Sequence, residues 1–135
     1  MSKIIGLPSS VHDPSTALII DGNVVFAMEE EKLTGIKSLY NQNIFPQKTL
    51  NLIKQKFDVD LHTCDHIAQA RFYTLDTLPE EYNTPQVREK IQSFSHHQCH
   101  AMGAYFTSGM EGKVLSVSHD GAGTRSRGKI YLCEN

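Results

Sequence analysis

The sequence holds only three cysteines, no apolar run of membrane length and no surplus of either charge. Each shortage narrows what the chain can be. Cys64, Cys99 and Cys133 are odd in number and form no CxxC pair, which suits free thiols in a reducing compartment better than a disulfide framework. No stretch approaches the roughly 18 apolar residues that cross a bilayer, and the apolar run in MSKIIGLPSSVHDPS is too short for a signal peptide. The expectation is a cytoplasmic protein with no membrane partner. With 13 Lys and Arg against 15 Asp and Glu, and a net charge of −2, there is no basic field for nucleic acid and no acidic tail. At 135 residues the chain has the length of one ordinary domain, enough for a core but with little room for a second lobe. No internal repeat or low-complexity tract is visible.

What is present begins with β-structure. Ile4 and Ile5, Thr16 to Ile20 and Asn23 to Met28 are short β-rich runs, and Asp21-Gly22 lies between the last two as a two-residue hairpin signal. In QKTLNLIKQKF, Leu50, Ile53 and Phe57 recur at steps of three and four, which predicts an amphipathic helix with Pro46 in its first turn. HIAQARF reads as a strand. Thr74 to Lys90, with two prolines and few large apolar residues, reads as a loop or a weakly ordered connection. Ile91 to Phe94 predicts another short strand, and Ala101 to Phe106 a helix that Gly109 ends. Val114 to His119 and Lys129 to Cys133 predict two strands around DGAGTRSRG. The order β, β, β, α, β, α, β, β predicts an α/β fold: a three-stranded antiparallel opening meander, then strands alternating with helices in a mixed sheet. Such a sheet is either partly exposed or completed from beyond the C-terminus.

The densest chemistry lies in SHHQCHAMGAYF, with His96, His97, Cys99 and His100 in five positions. On a helix, His96 and His100 share a face and His97 points about 100° away. Two imidazoles alone do not make a site, and on spacing alone a polar first turn with solvated histidines is the stronger reading. The same spacing recurs at His62 and His66, but there it falls at a turn entering a strand, where residues four apart are about 13 Å distant. Asp120 is the third candidate. It ends a predicted buried strand and opens a glycine-bearing loop, a common place for a carboxylate aimed at a site. Two nitrogens and an oxygen suit iron(II), zinc or manganese with positions left open for substrate. Cys99 is read as a small buried residue, and His119 as facing away by strand alternation.

Two polar loops add candidates. Gly121, Gly123 and Thr124, with Arg125 and Arg127 nearby, could hold phosphate oxygens on amides, a hydroxyl and guanidinium groups; a solvated hairpin tip is the competing reading. His12 and Asp13 sit at the tip of PSSVHDPS, where His12 could act as acid, base or hydrogen-bond donor or be a plain surface histidine. Glu29, Glu30 and Glu31 form a charge run at a strand end, read as solvated, with a cation or substrate contact as the alternative.

Taken in order, GLPSSVHDPSTALIIDGNVVFAMEEEKLTGIK, SHHQCHA and VLSVSHDGAG resemble the N-terminal part of the O-carbamoyltransferases of the nodulation, cephalosporin and tobramycin type. The resemblance implies an actin-like, ribonuclease-H-like fold of two lobes, with residues 1–112 as the first lobe and 113–135 as the first hairpin of a truncated second. It implies a metal held by His96, His100 and Asp120, His12 beside the reacting carbamoyl group, and Gly121, Gly123 and Thr124 near nucleotide phosphates, with Asp13 and Lys37 as substrate contacts. The implied cofactors are ATP and a divalent metal, iron(II) first, with zinc and manganese as alternatives. The implied chemistry starts from carbamoyl phosphate and ATP, passes through carbamoyl adenylate and delivers the carbamoyl group to a small hydroxyl-bearing acceptor.

The chain departs from this pattern in three places. KLTGIK stands where the family carries an arginine-rich segment, so Gly35 replaces a basic side chain. Pro14 follows His12-Asp13 and is expected to hold them extended. The family's remaining metal carboxylate and most nucleotide contacts would lie past residue 135, so the chain reads as a fragment, inactive alone, that needs its missing part or a second protomer. Two other readings stand beside this one: a stand-alone metal- or nucleotide-binding module completed by a partner chain, and a threonylcarbamoyl-transfer relative acting on tRNA, against which the charge argues.

Overall fold

The computed structural model describes residues 1–8, 13–36, 45–71, 78–121 and 126–134. These residues divide into two compact units, Met1–Ser93 and Phe94–Asn135. Among them no helix is long and apolar enough to cross a membrane.

The first unit opens with the predicted meander: β1 (Lys3–Leu7), β2 (Ser15–Ile20) and β3 (Asn23–Glu29), paired antiparallel. Asp21 and Gly22 turn between β2 and β3 with φ of 48° and 80°, the left-handed pair that a two-residue hairpin requires. A parallel strand cannot be reached by so short a turn. The chain therefore passes through α1 (Glu31–Thr34) and α2 (Gln47–Phe57) before β4 (His66–Arg71) runs parallel to β1. With β5 (Ile91–Ser95) the sheet order is β3-β2-β1-β4-β5, which makes it mixed, as expected. Ile5, Leu18 and Ile67 from the strands and Leu50 and Ile53 from α2 share one core and are at most 2% exposed.

Three local readings are corrected. Pro46 takes the N-cap position of α2, with ψ of 61°, and the helix begins only at Gln47. Residues 80–89 are ordered: a 3₁₀ turn at Glu80–Tyr82 precedes α3 (Pro85–Glu89). The Thr84 hydroxyl caps α3 by accepting from the Val87 amide at 3.4 Å, Pro85 opens it, and Val87 is wholly buried. A cap, a proline and one anchor suffice for a helix too short to show periodicity. Asp13 is not extended but has φ of 50°: the proline after it disfavours the right-handed region, and an aspartate tolerates the left-handed one. Gly35, which replaces a basic side chain of the resembled pattern, has a structural role not read from the sequence: it is the C-cap of α1 with φ of 71°, a conformation that favours glycine.

In the second unit, α4 (His96–Ser108) is capped by Ser95, whose hydroxyl accepts from the Gln98 amide at 3.2 Å, and is ended by Gly109 with φ of 71°. It lies on the hairpin of β6 (Val114–His119) and β7 (Gly128–Cys133). The buried stripe of α4 is His97, Ala101 and Tyr105, at helical spacing. Ser116 and Ser118 are buried on β6, and the Ser116 hydroxyl donates to the Ala101 carbonyl at 3.2 Å. Strand alternation sends Leu115, Val117, Ile130 and Leu132 outward, and they are 64–70% exposed.

Candidate metal centre

Helical geometry brings His96 and His100 to one face of α4, and the hairpin brings Asp120 to them at the end of β6. The Asp120 amide donates to the Arg127 carbonyl at 2.8 Å, so the carboxylate stands on a closed loop base. His96 Nε2 lies 2.7 Å from Asp120 Oδ2, His100 Nε2 lies 3.4 Å from the same oxygen, and the two Nε2 atoms are 3.1 Å apart. Among the described residues these three form a group whose ligand atoms all lie within 4.8 Å of one another. Asp120 carries its charge firmly. The hydrogen bond from His96 and then that from the Gly121 amide, at 2.6 Å, hold its carboxyl down to about 2.

Donor type and spacing both fit a divalent cation. Two ligand atoms each about 2.0–2.2 Å from one ion stand about 3.0 Å apart at a right angle and about 3.4 Å apart at the tetrahedral angle. The separations of 3.1 and 3.4 Å from His100 Nε2 match that range. The 2.7 Å between His96 and Asp120 is a hydrogen-bond length, which a cation between them would replace. His100 is exposed, while His96 and Asp120 are intermediate, so one side of the cluster stays open to further ligands.

Other candidates fall elsewhere. Cys99 is half-buried, burial pushes its thiol up, and it does not join the cluster. His62 lies in a turn and His66 opens β4, both exposed, as their flanking residues predicted. Gly121 is exposed beside Asp120. His12, Lys37, Gly123 and Thr124 lie outside the described residues, and Asp13 belongs to the first unit.

Two residues carry more than their sequence context suggested. Glu30, read as part of a solvated run, is 4% exposed. Its carboxylate accepts from the Lys48 and Thr49 amides at 2.6 and 2.8 Å and so caps α2 from outside the helix. His97 is wholly buried, with Nδ1 at 2.9 Å from Ser118 Oγ and Nε2 at 2.8 Å from the Ser126 carbonyl. The i, i+4, i+8 step from His97 to Ala101 and Tyr105 was the available signal for its burial.

No protein-family model matches the chain. The chain is similar to the nodulation protein NolNO of Sinorhizobium fredii (strain NBRC 101917 / NGR234), at 27% identity over 98% of this chain and 23% of that protein. It thus spans about a quarter of that relative's length. The resemblance drawn from the motifs is therefore met by a nodulation protein along almost the whole chain. Among solved structures it is similar to YeaZ from Pseudomonas aeruginosa, with a TM-score of 0.53 and 16% identity, covering 100% of this chain and 66% of that one. A protein described as similar to peptidase YEAZ from Pseudomonas aeruginosa gives a TM-score of 0.53 and 15% identity, covering 100% and 65%. The chain spans just under two-thirds of each. These structures show the fold, the actin-like, ribonuclease-H-like α/β class that the resemblance implied.

Proposed function

We propose that the chain is the N-terminal part of a carbamoyltransferase that moves a carbamoyl group from carbamoyl phosphate, through carbamoyl adenylate formed with ATP, onto an acceptor hydroxyl. The observation that supports this reading is the convergence of His96, His100 and Asp120 in a chain similar to NolNO over 98% of its length. Residues 1–112 are assigned to a first lobe and 113–135 to the opening of a second; β6 and β7 form a sheet of their own, while the compact units part earlier, after Ser93, with α4 on the side of the hairpin. The free thiols Cys64, Cys99 and Cys133 suit a cytoplasmic location.

The final transfer sets the demands on the residues. The acceptor oxygen attacks the carbonyl carbon, the bond to AMP breaks with its electron pair leaving on AMP, and the hydroxyl proton must go to a base. His12 is assigned that proton. Gly121, Gly123 and Thr124 are assigned to the nucleotide phosphates, and Asp13 and Lys37 to substrate. His96, His100 and Asp120 would hold the divalent metal, iron(II) ahead of zinc and manganese, which supplies Lewis-acid polarisation of a carbonyl or phosphoryl oxygen. The chain spans 23% of NolNO, and in this reading the remaining nucleotide contacts come from residues outside it. The chain alone is then inactive.

Metal analysis of the purified chain beside His100→Ala tests the centre. The expected result is about one equivalent of metal in the parent and a loss of most of it in the variant; equal content in both would remove the site. A second reading, a metal- and nucleotide-binding module completed by a partner chain, is favoured by the exposed aliphatic face of the β6–β7 hairpin. Radiolabelled carbamoyl transfer by a chain extended to the relative's length separates the two readings, since only the first expects turnover.

A further inference from the structure

The three candidate ligands ride on two elements, His96 and His100 on α4 and Asp120 at the end of β6. Such a set is only as well aligned as the joint between its elements. Farther along α4 the Ser116 hydroxyl reaches the Ala101 carbonyl, but beside the ligands the joint is a buried ring. His97, adjacent to one ligand on α4, is 0% exposed and has both nitrogens engaged. The Ser126 carbonyl can only accept, so Nε2 carries the hydrogen at that 2.8 Å contact. In the neutral ring Nδ1 then accepts the hydroxyl hydrogen of Ser118 across 2.9 Å. Ser118 lies two residues before Asp120 on the outgoing limb of the hairpin, and Ser126 lies next to Arg127, whose carbonyl receives the Asp120 amide.

We propose that His97 is a positioning residue for divalent-cation binding: it ties α4 to both limbs that flank Asp120 and so fixes the carboxylate against His96 and His100. The inference rests on the cation reading of that triad. A leucine of similar volume would fill the same buried space, but it would fix neither the direction nor the distance of the two limbs. A buried polar ring costs stability unless both its ends are satisfied, and here Ser118 on the strand leading to Asp120 and Ser126 on the returning limb satisfy them. Such outer partners typically change metal affinity by about 10–100-fold.

The experiment is a titration of the 135-residue chain with cobalt(II), read by its visible absorption, with far-UV circular dichroism recorded on the metal-free protein. The parent is compared with His97→Leu, His97→Gln, Ser118→Ala and Ser126→Ala. Ser126→Ala is the control, because the Ser126 hydroxyl is buried and has no partner among the described residues, and its carbonyl remains. The expected result is that His97→Leu and Ser118→Ala weaken cobalt(II) binding by about 10–100-fold and alter the spectrum, with circular dichroism unchanged. His97→Gln, which keeps an N–H directed to Ser126, should regain much of the affinity, and Ser126→Ala should match the parent. Parental affinity and spectrum in His97→Leu or Ser118→Ala would overturn the inference while leaving the triad intact. Equal losses in His97→Gln and His97→Leu would also overturn it. If the parent itself binds no cobalt(II), the triad reading falls and this inference falls with it. Should His97→Leu fail to fold, Ser118→Ala against Ser126→Ala decides.

Discussion

Cys64 shows what burial does to a nucleophile. It is 2% exposed, and loss of water around it pushes the thiol from about 9 up to about 11, against a smaller opposing effect of Lys90. The folded state thus holds this proton more tightly than the unfolded chain. Its contribution to stability is fully present below about pH 9 and is lost as pH rises through about 11. At pH 8, iodoacetamide should leave Cys64 unmodified in the folded chain and alkylate it in urea, read by mass spectrometry of peptides. Cys64→Ser should flatten the stability loss on the alkaline side. Single residues were unevenly legible in the sequence. The pairing of His96 with His100 followed from helical spacing, and Asp120 from its place at a strand end. The fate of the Glu30 carboxylate did not follow, because its partners lie 18 and 19 residues away and no local pattern encodes such a contact. The conformation of Asp13 was missed because a proline excludes one backbone region without choosing between the others.

At the scale of elements, α2 was readable from the recurrence of Leu50, Ile53 and Phe57, whereas α3 was not, since five residues give no period to detect. What sequence spacing omits is how helix ends are satisfied. Without its carboxylate, Glu30→Ala leaves the amides of Lys48 and Thr49 unpaired at the start of α2 and should cost about 1–3 kcal/mol in urea denaturation, with Glu30→Gln intermediate. A similar hidden requirement sits in the second unit at Gly128, whose residue type gave no signal beyond a loop end. A Cβ there would stand 2.9 Å from the Ser118 carbonyl oxygen. Because that atom is backbone, the two strands must separate. Gly128→Ala should therefore lower the melting temperature and, by moving Ser118 and Asp120, weaken cation binding in the same titration.

The whole molecule combines one unit with a well-filled core and another whose hairpin is covered on one side. Leu115 pairs across the strands with Leu132 and Val117 with Ile130, so the exposed aliphatic side chains are contiguous. Alternation in VLSVSH made the strand legible. It could not tell which of its faces α4 would cover, and the structure gives the serines to the helix and the aliphatics to solvent. Contiguous apolar surface of this kind binds hydrophobic dyes and promotes association. Anilinonaphthalene sulfonate fluorescence should be high for the chain and fall in the Leu115→Thr, Ile130→Thr double variant, with circular dichroism unchanged because neither side chain belongs to the core. A ribbon greased on its outer side makes solubility a function of concentration: dilute chains stay dispersed, while crowded ones gain by hiding their aliphatics against whatever is nearest. The yield and handling of this polypeptide would then be governed less by how firmly its core holds than by four side chains that contribute nothing to that core.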